Sequence, residues 1–286
     1  MKFLNTIRYI LVLPLLLLTM ITTPAASSTD TAEFVGEDVF VFEQALLMGQ
    51  GITTDGEYYY TSGAITALNL TALAKIDMDD MSVVATAINP LPKKCSDRGN
   101  NHIGGISYYN GKIYASVEGP DEGYPCIVVF GTDLKATGEV YDLDITEYDD
   151  GVPWCAVDPD TGYLYASRWS DAKTIFVYDT ADSMKLIREI PLKGTGIIDR
   201  IQGGEFHNGT LYLSYDYKRD GNVKKIMAVD IESGEVTLAA ERNVGAAEDI
   251  EAEGMTFTCT DEGCTMTVLD YNKLIGVFVR QYKTDF

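Results

Sequence analysis

Residues 101–119, NHIGGISYYNGKIYASVEG, read as one β-hairpin. A small apolar approach, His102-Ile-Gly-Gly-Ile106, leads into Tyr108-Tyr109, and Asn110-Gly111 makes the turn. Asn-Gly is the strongest short-range hairpin signal, because both central residues of a type I′ turn take positive φ. The return stretch, Lys112-Ile-Tyr-Ala-Ser-Val117, is rich in strand formers. The same pattern recurs as a turn residue, Gly, any residue, an apolar residue, Tyr, any residue and Ser or Thr. Its copies are DGEYYYT from Asp55, NGKIYAS from Asn110, TGYLYAS from Thr161 and NGTLYLS from Asn208, with a degenerate EGCTMTV from Glu262.

The turn glycines, Gly56, Gly111, Gly162, Gly209 and Gly263, lie 55, 51, 47 and 54 residues apart. A period near 50 residues with several strands in each unit is that of a β-propeller. A third strand follows each hairpin (Leu73–Asp77, Ile127–Gly131, Thr174–Asp179, Lys225–Asp230, Ile275–Tyr282). A fourth follows in four units (Met81–Ile88, Gly138–Leu143, Lys185–Leu192, Glu235–Ala240). The fifth unit runs out of chain after its third strand, whereas an orphan strand, Asp38–Glu43, precedes the first unit. The expectation is an all-β, five-bladed β-propeller of four-stranded antiparallel blades. The N-terminal strand pairs with Ile275–Tyr282 to close the ring and remove two exposed edges. A β-sandwich pair is the alternative, and it leaves the regular period unexplained.

The chain has 286 residues and a formal charge of −21. It opens with Lys2 and Arg8, an apolar run from Tyr9 to Ile21 and the small residues Pro24–Ser28. That is the pattern of a secretory signal peptide, so residues 1–27 are read as a signal peptide, 28–36 as a leader and 37–286 as one propeller domain. A membrane anchor is the alternative, but the run is short for a span and Pro14 interrupts it. A secreted, monomeric protein without stable membrane insertion is expected. The acidic surface repels nucleic acid and anionic lipid. Its expected partner is a small molecule or an extracellular partner.

In a secreted chain, cysteines pair by default. Cys259 and Cys264 flank a short turn and are expected to bridge, and Cys95 is assigned to Cys126. Cys155 is left as a buried thiol. Asn69-Leu-Thr and Asn208-Gly-Thr are sequons for N-linked glycans in a eukaryotic host.

In a propeller blade the first strand starts, and the second ends, at the same face of the disc. Strand-one starts here carry Gln50, His102, Trp154, Gln202 and Glu253. Strand-two ends carry Glu118, Arg168-Trp169, Asp216-Tyr217 and Asp270-Tyr271. Convergent polar groups beside aromatic walls are the make-up of a small-molecule site. His102 and Glu253 are the candidate acid/base pair, since His102 is the central group whose ordinary titration lies near neutrality. Gln50, Trp154, Arg168 and Gln202 are candidate ligand-binding residues, Arg168 for an anionic group, and Glu118 with Asp216 would hold a metal or a polyol. Each has a structural reading beside the functional one: hydrogen bonding between strand starts, core packing, or an ion pair. His207, next to Asn208-Gly209, is expected in an exposed hairpin. The acids between Asp142 and Asp150 lack the spacing of an EF-hand and read as a solvated loop.

The repeat, together with Gln50-Gly-Ile, Ile103-Gly-Gly-Ile and Glu253-Gly-Met, resembles secreted five-bladed propellers, the calcium-activated nucleotidases and the plant-type glutaminyl cyclases among them. Glu253-Gly-Met-Thr-Phe257 is similar to the last-blade motif of the nucleotidases. That resemblance implies a channel calcium held in part by Glu253. Where that family places further central acids, this chain has Gln50, Gln202, Trp154 and Ile103-Gly-Gly. Calcium also suits carboxylate and amide oxygens chemically. No Gly-x-Ser-x-Gly elbow, His-Glu-x-x-His or phosphate loop is present. Two functions follow: a ligand-binding pocket at the channel mouth, with or without turnover, or a non-enzymatic acidic extracellular protein that binds protein, polysaccharide or mineral.

Overall fold

The structure is a computed structural model that describes residues 32–41, 48–120, 123–194, 198–216, 223–243, 250–261 and 263–286. The signal-peptide reading, Tyr217 and Glu262 fall outside these residues.

Among the described residues, twenty strands form five antiparallel blades and one short strand adds to the fourth in parallel. Blade one holds β2 (Ile52–Thr54), β3 (Tyr58–Ile65), β4 (Leu70–Asp77) and β5 (Val83–Ile88). Blade two holds β6 (His102–Tyr109), β7 (Lys112–Glu118), β8 (Cys126–Gly131) and β9 (Ala136–Asp142). Blade three holds β10 (Trp154–Val157), β11 (Tyr163–Ser167), β12 (Thr174–Asp179) and β13 (Lys185–Pro191). Blade four holds β15 (Ile201–His207), β16 (Thr210–Tyr215), β17 (Val223–Val229) and β18 (Glu235–Asn243), and the two-residue β14 (Lys193–Gly194) runs parallel to β18. Blade five holds β19 (Ile250–Thr260), β20 (Gly263–Asn272) and β21 (Gly276–Thr284), and its fourth strand is β1 (Glu33–Val41).

The expected closure is present, with Asp38 opposite Val279 and Phe40 opposite Val277. The strand starts earlier than the sequence suggested, at Glu33. A register shift between Phe34 and Gly36 lets it continue past the glycine.

Five buried clusters fill the five gaps between neighbouring blades. The repeated tyrosine explains four of them. Tyr59, Tyr114, Tyr165 and Tyr212 are all buried, each in the wedge between its own blade and a neighbour. A wide ring with one polar tip suits a wedge that needs bulk and one hydrogen bond. Tyr59 Oη meets Thr267 Oγ1 of blade five at 3.2 Å.

The inner strands meet at a collar of glycines. A methyl group on Gly104 would lie 2.5 Å from Pro153 O, on Gly203 2.7 Å from Gly254 Cα, and on Gly254 2.7 Å from Gly51 Cα. Only glycine allows such backbone approach. At this level β6 and β19 leave their hairpin partners, with register shifts between Ile103 and Ile106 and between Ala252 and Met255. Their freed amides turn to the next inner strand instead: Gly105 N donates to Pro153 O at 2.7 Å and Gly254 N to Gln50 O at 2.8 Å. A pentagon of backbones at strand spacing, ~4.8 Å, has a radius of only about 4 Å to its Cα atoms. Backbone atoms narrow that waist to about the width of a water molecule.

Candidate functional site

Above the collar the strand starts and strand ends form a polar circuit round the channel mouth. His102 is its centre on blade two. Nδ1 lies 2.8 Å from Glu118 Oε1, its direct cross-strand neighbour, and Nε2 lies 2.7 Å from Gln50 Oε1. Glu118 Oε2 accepts the amide of Val152 at 2.8 Å on the approach to blade three. An open cleft of about 640 Å³, bordered by Thr66, Asn69, Asn101, His102, Glu118 and Pro120, flanks the imidazole.

On blade three Arg168 is paired with Asp149 at 2.6 Å and lies 3.2 Å from Asp150. Asp150 also accepts the amides of Trp169 and Ser170. Asp149 and Asp150 of the acidic loop are counter-ions of the arginine and Asp142 pairs with Lys94 and Arg98, while Asp142, Asp144, Glu147 and Asp149 remain exposed, as the sequence suggested. Trp154 is fully buried between blades three and four and donates Nε1–H to Ser167 Oγ at 3.0 Å, so it packs rather than facing the mouth. Trp169, just past the end of β11, is half-buried, with the Arg200 guanidinium 4.7 Å from its ring.

Arg200 connects this tryptophan to blade four. It donates to Asp216 Oδ2 at 2.7 Å. Asp216 Oδ1 takes Lys224 Nζ at 2.5 Å and the amide of Ala252 on blade five at 3.2 Å. Burial pushes the Asp216 carboxyl up, and these donors more than reverse that, holding it below its ordinary value. Glu118 and Asp216, read as joint metal ligands, have separate protein partners on opposite sides of the mouth, and no contact joins them.

Gln202 and Glu253 both sit in bulges, where a strand re-aims a side chain. Gln202 is half-buried, whereas Glu253 is 1% exposed and its Oε1 has no hydrogen-bond partner. Burial pushes its carboxyl well above the ordinary range, and the charges of Glu251 and Asp216 push it further. Glu253 and His102 do not touch. Gln50 lies between them, bonded to His102 by its side chain and to Gly254 by its carbonyl.

That carboxyl makes the fold sensitive to pH. A proton held more tightly by the folded chain than by the unfolded one is a stabilising ligand that is lost as pH rises. Stability should therefore fall by up to about 1.4 kcal/mol per pH unit once pH passes the unfolded carboxyl value. Urea denaturation of wild type and Glu253→Gln between about pH 5 and pH 7 checks this, since the two stabilities should diverge with pH in favour of the glutamine. Parallel curves would mean that Glu253 titrates alike in both states.

The cysteines follow the expectation at Cys259–Cys264 and at Cys155 and depart from it at Cys95 and Cys126. Cys259 and Cys264 are bonded, S–S 2.13 Å. Cys95 and Cys126 are free and buried. They lie side by side, and the hydrogen bond from Cys126, together with Arg98, draws the Cys95 thiol down to about 7. Their adjacency follows from α1 (Lys93–Ser96) packing beside β8, but no bond joins them. Cys155 is a free, buried thiol. His207 is buried, stacked on Phe257 with ring centroids 4.5 Å apart, rather than exposed. Asn69 and Asn208 are both exposed, and Asn69 Oδ1 accepts from Asn101 Nδ2 at 2.8 Å on the cleft wall.

No protein-family model matches the chain, and no curated protein matches it. Solved structures do. A luciferin-regenerating enzyme superposes with a TM-score of 0.52 at 13% identity, over 87% of this chain and 97% of that one. A GH43_1 enzyme from Xanthomonas citri gives 0.53 at 15%, over 86% and 90%. A GH43 protein from Bacillus licheniformis gives 0.54 at 16%, over 82% and 51%. The likeness is one of fold. Among the described residues no helix is long and apolar enough to cross a membrane.

Proposed function

We propose that this chain is a secreted propeller that binds a small, uncharged, hydroxyl-bearing ligand at the channel mouth. The observation that carries the reading is the buried, unpartnered Oε1 of Glu253. A buried polar atom without a partner costs about 1–3 kcal/mol, and a ligand that reaches it recovers that cost. The indole Nε1 of Trp169 is buried and unpartnered as well. It belongs to the same chain of contacts through Arg200 and Asp216. The ionic groups around them are already neutralised: Arg168 by Asp149, Asp216 by Arg200 and Lys224, and His102 is matched with Glu118. What the mouth has left to offer is an indole donor and the oxygen of a carboxyl that burial favours in its neutral form. A hydroxyl, both donor and acceptor, suits either atom. Binding is favoured over turnover because both nitrogens of His102 are engaged by Glu118 and Gln50. A glycan on Asn69 would stand over the cleft beside His102.

The test is a thermal-shift and calorimetry panel of uncharged polyols and saccharides beside carboxylated and phosphorylated analogues. At least one uncharged member is expected to raise the melting temperature by mass action. Glu253→Met roughly keeps volume and Trp169→Phe keeps an aromatic ring, and each removes the polar atom. Each is expected to weaken binding about tenfold or more, near 1.4 kcal/mol, while the fold survives. Tighter binding of the charged analogues, or unaltered binding by both variants, would sink the reading.

A further inference from the structure

Below the collar, on the side of the hairpin turns, the inner strands place Thr53, Glu205 and Thr256 around the axis. Glu205 belongs to blade four, yet its Oε2 lies 3.4 Å from Thr256 Oγ1 of blade five and 3.5 Å from Thr53 Oγ1 of blade one. A side chain that meets two successive blades lies in the channel. Its other oxygen accepts the amide of Phe206 at 3.0 Å. Among the described residues no basic side chain forms a salt bridge with it. Burial pushes the carboxyl up to about 8.

The spacing of the two hydroxyls from Glu205 Oε2 is what points to an occupant. Both donate to it at 3.4 and 3.5 Å, the outer limit of hydrogen bonding. Oxygens that coordinate one calcium ion at about 2.4 Å, at right angles, lie ~3.4 Å apart, whereas around magnesium they lie ~2.9 Å apart. Thr53 Oγ1 is already oriented by the amide of Tyr108, which donates to it at 2.9 Å, and a lone pair remains. We infer that the lower channel is a site for a calcium-sized divalent cation, with Glu205 as its charged ligand, the Thr53 and Thr256 hydroxyls as neutral ligands, and water from the open side completing the shell. One carboxylate and two hydroxyls make a weak site, with Kd on the order of 10⁻⁴–10⁻³ M. It shares no residue with the mouth site, so either can fail without the other.

The experiment is a melt of the chelator-treated full chain against calcium and against magnesium. Calcium is expected to raise the melting temperature to a plateau and magnesium to do less. Glu205→Gln should abolish the calcium response, and Glu253→Gln should keep it. Should Glu205→Gln fail to fold, Thr256→Val is the second variant, with calcium binding expected about tenfold weaker by calorimetry. A calcium response that survives Glu205→Gln, or that Thr256→Val leaves unaltered, would overturn the site. So would a wild-type chain indifferent to calcium, because Glu205 would then hold a proton in its place.

Discussion

Asp270→Ala should cost about 3–5 kcal/mol, or leave no folded protein at all. The carboxylate is fully buried and holds two arginines. Arg242 reaches it with both terminal nitrogens, at 3.0 and 3.1 Å, and Arg280 at 2.8 Å. Arg242 is itself fully buried; burial pulls its guanidinium down, and the Asp270 carboxylate more than reverses that. Truncation at Asp270 leaves a buried cation with, among the described residues, the Tyr282 hydroxyl at 3.3 Å beside it. The penalty is that of an uncompensated charge, not the net worth of the ion pair, so replacing the whole group by apolar residues should cost far less. Urea denaturation of Asp270→Ala beside a triple apolar variant separates the two. An Asp270→Ala protein as stable as wild type would show that water reaches Arg242.

Removing residues up to Val41 should destabilise the whole ring by several kcal/mol. The strand contributes a ladder to β21 from Glu33 opposite Lys283 to Val41 opposite Gly276. Each ladder hydrogen bond is worth about 1 kcal/mol net, and burying Phe40 about 2 kcal/mol more. Phe40 is packed in the cluster between blades five and one, and Glu37 is bonded to Arg280 at 3.0 Å, so the loss reaches the Asp270 network. It also bares the outer edge of β21, and exposed edges pair with other chains. A lower melting temperature together with concentration-dependent association in size-exclusion chromatography is expected. A truncated chain that melts like the intact one would mean that β1 is an ornament on a ring already stable.

The blades were legible because a turn demands particular residues. Asn110-Gly111 and its counterparts mark each hairpin whatever surrounds it, and the spacing between them counts the blades. The closing strand was legible as a strand without a partner. Its start was not, because Glu33–Gly36 interrupts apolar alternation with a glycine that the register absorbs as an irregularity. Side-chain directions near the collar were harder. The bulges at Gln202 and Glu253 shift the two-residue alternation, so position in the strand does not say which residue meets the mouth. Trp154 starts a regular strand and still belongs to the core, because its ring fills the gap between blades three and four. Glu205 went unnoticed three residues beyond Gln202, because nothing in Gly203-Gly204-Glu205 says that the glycines separate two faces of one channel. Asp149 is solvated as read, but its pairing and that of Asp150 with Arg168 were hidden because the arginine belongs to a strand end in the next blade.

The glycine collar turns the disc from a pipe into two wells set back to back. A solute larger than a water molecule that enters on the His102 side is stopped at the collar before Glu205, and an ion that keeps its hydration shell is stopped on the hairpin side before Glu253. Occupants of the two wells therefore do not compete for space, and each is loaded and emptied only from its own face. A protein or surface that covers one face would trap what that well contains and leave exchange in the other untouched.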